Sequence, residues 1–257
     1  MSPALTPLDR HFALPRVRRI AQGRPLDWLS AGWRDLAANP IASLAYGLLF
    51  AIAGDLILIF AWRNAHLVTA AISGFFLIAP LLAGGLYEIS RRQAAGESST
   101  FVDSLAAWRR NGQSMAMFGL VLALIGIAWE RLSAVFFALL APDLEPDLSN
   151  FVSSILGSRD YRNLVIVWFI SGAGLALFVF AISAVSVPML LDRDTDFVTA
   201  MMTSLRAVSL NLDAMVLWAG MIVVLTLLGF ATLLFGLIVL MPLIGHASWH
   251  AYRDLVE

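Results

Sequence analysis

The sequence predicts an all-α membrane protein with six transmembrane helices, arranged as three hairpins that each follow an amphipathic interfacial helix. Two observations predict this class. Of the 257 residues, 60% are hydrophobic and only 14% are charged, and the mean hydropathy is +0.80, which is typical of a polytopic membrane protein. The apolar residues also form segments of about 20 residues or more, the length that crosses a hydrocarbon core.

Composition and motifs exclude several kinds of chemistry. The chain has no cysteine, so disulfides, thiolate metal sites and thiol nucleophiles are excluded. Its net charge of −1 argues against a nucleic-acid partner. The sequence contains no Walker loop, dinucleotide fingerprint or nucleophile elbow, so we do not expect an enzyme. The expected partners are the lipid bilayer and other subunits of a membrane complex.

Residues 1–25 form an arginine-rich arm that we expect to be cytoplasmic, because it contains no apolar stretch long enough for a signal peptide. Residues 26–257 are expected to form a single six-span membrane domain. The domain begins with a predicted amphipathic helix, in which large apolar residues recur at helical spacing and polar residues take other faces. The apolar residues are Leu26, Leu29, Trp33 and Leu36, and the polar ones are Asp27, Arg34 and Asp35.

The first predicted hairpin comprises residues 41–62 and 65–87, joined by a short polar turn. Next, Thr100-Phe-Val-Asp103 resembles a capping box. It opens a second amphipathic helix, which carries Phe101, Leu105 and Trp108 on one face. The second hairpin then comprises residues 115–140 and 164–191, separated by an acidic loop.

The third unit begins with another amphipathic segment, which carries Phe197, Met201, Leu205 and Val208 on one face. Residues 214–245 follow and contain no charged side chain. A single helix of that length would be about 48 Å long, far more than a bilayer requires. Two helices with a tight turn near Gly229 fit better, and they complete the third hairpin.

The three units resemble one another and read as an internal repeat, with bounds 26–92, 99–195 and 196–254. Sliding the chain by 75 residues places Trp108-Arg109 on Trp33-Arg34 and Glu130 on Asp55. A slide of 172 residues places Leu205-Arg206 on the same Trp33-Arg34 pair. Internal repeats set a fold where they occur, so three copies of one unit are expected. The alternative is convergence on a common pattern of membrane entry.

The distribution of basic residues, all of them arginine, predicts the orientation. If both termini are cytoplasmic, 13 of the 17 basic residues lie on that side. The four that remain outside are Arg63, Arg131, Arg159 and Arg162. Positive charge favours the cytoplasmic side of a membrane. The sequence therefore predicts a multi-pass protein of the bacterial inner membrane with both termini in the cytoplasm.

One candidate polar cluster lies within the membrane, toward the non-cytoplasmic side: Asp55, Arg63, Glu130 and Arg131. A charge at the centre of a membrane helix costs about 2.5–3.5 kcal/mol on insertion scales. These side chains should therefore face the helix bundle or the outer interface. We expect an ion-paired clamp between hairpins, and the alternative is a path for a proton or a small solute.

A second candidate cluster lies where the second and last spans reach the cytoplasm: Glu88, His246, His250 and Arg253. Arg91 and Arg92 lie within about one helical turn of Glu88, which indicates a local ion pair. His246 and His250 are four residues apart, so both imidazoles share a helix face and can bind a transition metal or a haem iron. We favour hydrogen bonds from the histidines to Glu88 or to a neighbouring amphipathic helix, and expect no cofactor.

Four segments carry a resemblance to a known family: Gly32-Trp-Arg-Asp-Leu, Pro80-Leu-Leu-Ala-Gly-Gly-Leu-Tyr-Glu-Ile-Ser-Arg-Arg, Gly96-Glu and Pro242-Leu-Ile-Gly-His-Ala-Ser-Trp-His-Ala-Tyr-Arg. The chain resembles an uncharacterised family of bacterial integral membrane proteins, catalogued as a domain of unknown function. Some of its members carry the label of a cytochrome c oxidase subunit. The resemblance implies a six-span inner-membrane protein. It does not imply oxidase chemistry, because only His66, His246 and His250 lie near the membrane.

Three functions remain open at this stage. The leading hypothesis is a non-catalytic accessory or assembly component of a membrane complex. The oxidase label of some family members makes a respiratory complex the example to consider. The second is a small-solute or ion transporter or channel, favoured by proline-containing spans and by acids at matched depth. The third is a haem- or metal-binding membrane protein that uses His246 and His250.

Overall fold

The computed structural model describes residues 14–63, 82–140 and 161–257. Most of the predicted second span, the acidic loop, the first half of the arm and the side chain of Arg63 lie outside this description. The described chain is helical, with one isolated antiparallel bridge between Val17 and Val256. Its elements are α1 Arg24–Ala38, α2 Pro40–Arg63, α3 Gly84–Ala94, α4 Phe101–Ser104, a 3₁₀ helix Leu105–Arg109, α5 Gly112–Leu140, α6 Arg162–Ser183, α7 Ser186–Asp192, α8 Phe197–Leu210, α9 Leu212–Ala231 and α10 Leu237–Leu255.

Four helical segments in the described part of the chain are long and apolar enough to cross a membrane. They are Pro40–Ile57 within α2, Gly112–Leu140 (α5), Arg162–Asp192 (α6 with α7) and Leu212–Ala231 (α9). The predicted all-α class with several membrane helices is confirmed. The six spans and the three-hairpin arrangement stay predictions, because most of the second span is not described and α10 is not among these four segments.

The uncharged stretch of residues 214–245 forms two helices, as its length predicts. α9 ends at Ala231 and α10 begins at Leu237. The turn between them lies a few residues later than the predicted position near Gly229. Gly229 instead lies where the two helices meet, because a Cβ at this position would overlap the side chain of Leu237. The glycine thus permits the close approach of α9 and α10.

α10 is the helix around which the first part of the chain packs. It contacts α1, α2 and α3, and two glycines allow these contacts to be backbone to backbone. A Cβ on Gly32 of α1 would lie 2.7 Å from the backbone nitrogen of Ala247, and one on Gly47 of α2 would overlap the carbonyl oxygen of Ile238. Only glycine fits at such crossings, so these two positions set how closely the helices approach.

Helix caps define the two short connections that precede α4 and α8. The side chain of Thr100 accepts a hydrogen bond from the backbone N–H of Asp103, and the Asp103 carboxylate accepts one from the backbone N–H of Thr100. The predicted capping box is therefore confirmed. Asp196 caps α8 by accepting a hydrogen bond from the backbone N–H of Thr199 at 2.9 Å. Both caps satisfy N–H groups that a helix start leaves free.

The face of α1 that is buried differs from the face that the spacing of its apolar residues predicts. Its buried residues are Pro25, Trp28, Gly32, Asp35 and Leu36, and this face packs on α10. From the predicted apolar set, Leu36 is buried, whereas Leu26 and Trp33 are exposed. Asp35, which the spacing places with the polar residues, is buried because a histidine of α10 pairs with it.

Candidate functional site

Four helices bring polar side chains together at one level of the fold. α1 supplies an aspartate, α2 a serine, α3 a glutamate and a serine, and α10 two histidines. We call this set the polar layer, and it consists of Asp35, Ser43, Glu88, Ser90, His246 and His250. All except His250 are buried, so their charges and hydrogen bonds must be satisfied within the protein.

His246 is held by two serine hydroxyls. Its side chain is fully buried, with Nε2 2.9 Å from the Oγ of Ser43 and Nδ1 2.7 Å from the Oγ of Ser90. In a neutral imidazole one nitrogen donates and the other accepts, and a hydroxyl can play either role. Burial lowers the pKa of His246 to about 4, although the charge of Asp35 acts in the opposite direction. The ring is therefore neutral near pH 7 and joins α10 to α2 and α3.

His250 lies one turn further along α10 and pairs with a different helix. Its Nε2 is 2.8 Å from the Oδ2 of Asp35. The aspartate is 6% exposed, so water screens this contact weakly. The two histidines of the His-x-x-x-His pattern therefore have separate partners, and they tie α10 to α1, α2 and α3 together.

Glu88 is surrounded by arginines from two parts of the chain. Its carboxylate is 1% exposed and accepts two hydrogen bonds from Arg91, at 2.8 and 2.9 Å, and one from Arg92 at 2.9 Å. A further hydrogen bond comes from Arg110, at 3.0 Å. Burial alone would raise the pKa of Glu88, but the hydrogen bonds from Arg91 and Arg92 outweigh it and lower the pKa. Glu88 is therefore an ionised anchor for three cations.

The end of α10 is fixed by a further set of polar contacts. The hydroxyl of Tyr252 donates to Asp192 at 2.7 Å and accepts from Arg193 at 2.8 Å. Arg253 reaches the same carboxylate at 3.3 Å. One turn of α7 and one turn of α10 are thus joined around a single aspartate.

Asp254 links α10 to α1. Its Oδ2 accepts hydrogen bonds from Arg24 at 2.7 Å and from the indole N–H of Trp28 at 2.9 Å. The ring of Trp28 meets that of Trp218 edge to face, with centroids 5.7 Å apart, a geometry that aromatic pairs prefer. This contact extends the packing of α1 to α9.

The predicted cluster of Glu88, His246, His250 and Arg253 is therefore placed at one end of the fold but is divided among separate partners. Glu88 pairs with arginines, each histidine with its own partners, and Arg253 with Asp192. The pattern of the sequence does not predict the other residues of the site, which are Ser43, Ser90, Asp35, Asp192, Arg110 and Asp254. The sequence does show that each of these polar residues lies beside apolar residues of its own helix. It does not show which residue of another helix each of them contacts.

The predicted intramembrane cluster of Asp55, Arg63, Glu130 and Arg131 is not brought together in the described residues. Glu130 forms an ion pair with its neighbour Arg131 at 3.2 Å. Asp55 is exposed on α2, and no ion pair within residues 14–63, 82–140 and 161–257 includes it. The side chain of Arg63 lies outside the description. The expected clamp between hairpins therefore stays a prediction.

The chemistry open to the polar layer follows from these contacts. Among the described residues, no group of three or more His, Cys, Asp or Glu side chains is arranged to hold a metal ion. Both ring nitrogens of His246 already meet hydroxyls. The layer is thus well suited to fix helices and poorly suited to supply an open coordination position.

Comparison with known proteins gives a match to one family model, and this match carries no known activity. No curated protein matches the chain, and no solved structure matches it. Residues 67–192 match the family model described as Predicted integral membrane protein (DUF2189). This segment includes α3 and α5, with Glu88 and its three arginine partners. The expected resemblance is confirmed: residues 67–192 match an uncharacterised family of predicted integral membrane proteins.

Proposed function

We propose that this integral membrane protein is a non-catalytic accessory or assembly component of a larger complex in the bacterial inner membrane. The observation that carries the proposal is the internal pairing of the polar layer. Among the described residues, every buried side-chain nitrogen or oxygen has a hydrogen-bond partner. A catalytic or transport site needs polar groups that bind a substrate, whereas the groups of the polar layer are paired with other side chains of the protein and fix four helices.

The exposed side of α1 supports the proposal, because it offers a contact surface for another subunit. Trp33 is 53% exposed, and the exposed Arg34 follows it. Tryptophan and arginine are the residue types most enriched among those that dominate binding energy at protein interfaces. The opposite face of α1 is fixed to α10 through Asp35 and His250, so this surface is held rigidly.

Purification in mild detergent followed by mass spectrometry of co-purifying chains tests the proposal. We expect a stoichiometric membrane-protein partner that is lost with Trp33→Ser, while the melting temperature stays within a few degrees of wild type. Val102→Ser is the matched control, because Val102 is also an exposed apolar residue but lies on α4; it should retain the partner. A wild-type chain that purifies alone would contradict the proposal.

The orientation that we propose has both termini in the cytoplasm. The structure joins the described part of the N-terminal arm to the last residues of the chain: Val17 bridges to Val256, and Arg18 forms an ion pair with Glu257 at 3.3 Å. Residues 17–18 and 256–257 are therefore on the same side of the protein. The arginine bias of the sequence supports the cytoplasmic side.

A transporter remains the second candidate, and Asp55 favours it. This acid is exposed on a candidate span and has no ion-pair partner in the described residues, and ionisable groups inside membranes commonly mark transport paths. Flux of protons or small ions into vesicles that contain the purified protein distinguishes the two functions. A flux that Asp55→Asn abolishes, in protein of unchanged melting temperature, would favour the transporter over the accessory component.

A further inference from the structure

An apolar groove lies between α2 and the connection that leads to α5. This connection consists of α4 and the 3₁₀ helix, and the groove has a volume of about 240 Å³. Pockets for drug-sized ligands are larger, at about 300–1,000 Å³, so the groove is better suited to a slender ligand. Its walls include Tyr46, Leu49 and Phe50 of α2, with Phe101, Leu105 and Trp108 of the connection.

The walls of the groove present apolar surface only. The ring of Tyr46 packs against that of Phe101, with centroids 4.8 Å apart, and its hydroxyl is bonded within the protein. Ser104 donates its hydroxyl hydrogen to the carbonyl of Phe101 at 2.6 Å, so Tyr46 is the donor in its 2.7 Å contact with the Oγ of Ser104. A ligand in the groove is therefore held by apolar contacts and not by hydrogen bonds to its walls.

Two exposed arginines directly follow the wall residue Trp108. Arg110 donates a hydrogen bond to Glu88 at 3.0 Å, and its side chain is still 41% exposed. Arg109 is exposed, and no ion pair within residues 14–63, 82–140 and 161–257 includes it. Glu88 already has two other arginine partners, so its one negative charge cannot neutralise this set. Positive charge therefore remains next to the groove.

The candidate spans place the groove and the arginines relative to the bilayer. Arg110 is two residues before the span that begins at Gly112, and charged side chains are costly within hydrocarbon, so the arginines lie at the level of the lipid headgroups. On α2, Tyr46 to Phe50 lie about 9–15 Å inside the span that begins at Pro40. The groove therefore lies beside the acyl chains, close to the headgroups.

Two side chains of the groove support this placement. Leu49 is 53% exposed and Leu105 is 46% exposed, although both are large and apolar. Such side chains are favourable where they contact acyl chains and unfavourable in water. Trp108, at 38% exposed, is the residue type that is enriched where acyl chains meet headgroups.

We infer that the groove and the two arginines bind an anionic phospholipid of the surrounding bilayer. One acyl chain lies in the groove against Leu49 and Leu105, and the headgroup phosphate accepts hydrogen bonds from Arg109 and Arg110. Basic pockets beside membrane helices bind anionic headgroups in this way, and the planar guanidinium suits phosphate oxygens. Phosphatidylcholine binds less well, because its own cationic group cancels the phosphate charge.

A single labelled cysteine beside the groove identifies the lipid that lies there, because the natural chain contains no cysteine. Val102 is 72% exposed and is not a wall residue, so Val102→Cys carries a fluorescent label without filling the groove. Vesicles contain equal amounts of phosphatidylglycerol and phosphatidylcholine, and quenching bromine atoms are placed on the acyl chains of one lipid or of the other. We expect severalfold stronger quenching by brominated phosphatidylglycerol.

A label at a distant apolar position reports on the bulk lipid. Ile170 of α6 is 69% exposed, and a label on Ile170→Cys should be quenched equally by the two brominated lipids. Equal quenching at Val102→Cys as well would overturn the inference. Weak quenching by both lipids at Val102→Cys would show that protein and not lipid covers the groove, and would also overturn it.

Two arginine variants, each combined with Val102→Cys, test the headgroup contact. Arg109→Gln should lower the preference for phosphatidylglycerol by up to about fivefold, the effect of one arginine near an anionic lipid surface. Arg206→Gln is the matched control, because Arg206 is also exposed but lies on α8; it should leave the preference unchanged. Equal losses from both variants would indicate a general attraction to charge and would contradict a defined site.

A third variant tests the acyl-chain contact. Leu105→Trp adds a large side chain to the wall of the groove and should also remove the preference at the Val102→Cys label. A preference that survives this change would contradict the placement of the chain in the groove. A melting temperature within a few degrees of wild type confirms that each variant is folded.

Discussion

His246 makes the polar layer sensitive to acid, because it is buried in the neutral form. Its pKa is about 4 in the folded protein, against 6.5 for an ordinary histidine. Between these values the unfolded chain binds a proton that the folded protein does not, so lowering the pH favours unfolding. The contribution to stability is complete above pH 6.5 and is lost as the pH falls toward 4, by at most about 3 kcal/mol.

Denaturant unfolding in detergent at several pH values between 4 and 7 measures this effect. Carboxylates also titrate in this range, so the comparison is with His246→Gln, whose amide can bond to both serines but does not titrate. We expect the wild type to lose more stability than the variant as the pH falls. Parallel curves for the two proteins would show that His246 does not cause the acid sensitivity.

Glu88 should contribute more to stability than any exposed acid of the chain. Glu88→Gln leaves Arg91, Arg92 and Arg110 without their shared carboxylate. Because these arginines are partly exposed, we expect a loss of about 2 kcal/mol and not the 3–5 kcal/mol of a fully buried pair. The matched control is Glu97→Gln, at an exposed position, which should change the free energy of unfolding by less than about 0.5 kcal/mol. Equal effects from the two variants would contradict the role given to Glu88.

For single residues, the sequence predicts contacts between near neighbours in the chain but not contacts between residues far apart in the sequence. The spacing of Glu88 from Arg91 and Arg92 indicates their ion pairs, and both are present. Arg110 also binds Glu88, from another part of the chain. No periodic pattern in the sequence predicts this contact. Spacing likewise predicts that Asp35 lies with the polar residues of α1, because its partner His250 is far away in the sequence and only the fold brings the two together.

At the scale of helices, glycine determines where the central elements touch. Gly47→Ala should destabilise the protein by more than about 2 kcal/mol, because the new methyl group would overlap the carbonyl oxygen of Ile238 and force α2 and α10 apart. Gly220→Ala is the control: it lies within α9 with no atom near the position of a Cβ, and alanine favours helix. Thermal unfolding in detergent compares the two. Similar melting temperatures for both variants would contradict the close packing of α2 on α10.

The sequence predicts where several helices lie along the chain. It does not predict which side of a helix is buried against its neighbours. Apolar length predicts α5, α6 and the division of residues 214–245, because the pattern of uncharged residues is a property of the segment itself. The exposure of Trp33 and the burial of Asp35 depend on which helix lies beside α1. The amphipathic character of the three interfacial segments and the internal repeat stay predictions.

At the scale of the whole molecule, the paired ends determine the expected topology. A reporter fused after Glu257 should be active only in the cytoplasm, because Val17 and Val256 lie on the same side and the N-terminal arm is rich in arginine. The same reporter fused after Leu140, at the end of α5, should be active only in the periplasm. A C-terminal reporter that is active only in the periplasm would require a different number of crossings.

The class of protein is the whole-molecule property that the sequence determines most firmly. Hydropathy and span length depend only on composition and order, and they predict the integral membrane protein that the family match supports. Function is harder to predict from the sequence than the class of protein, because it depends on whether the polar groups are paired with one another in the folded chain. That pairing arises from contacts such as Ser43 with His246, which join residues far apart in the sequence.

The haem and transition-metal content of the protein, purified from its native membrane, tests most directly the claim that the polar layer serves to hold helices together and binds no cofactor. We expect no stoichiometric haem or metal and a melting temperature that a chelator does not change. His246→Ala and His250→Ala should lower the melting temperature through lost contacts with Ser43, Ser90 and Asp35. One haem or metal ion per chain, abolished by either variant, would show that the histidines of the polar layer bind a cofactor and would favour a redox function.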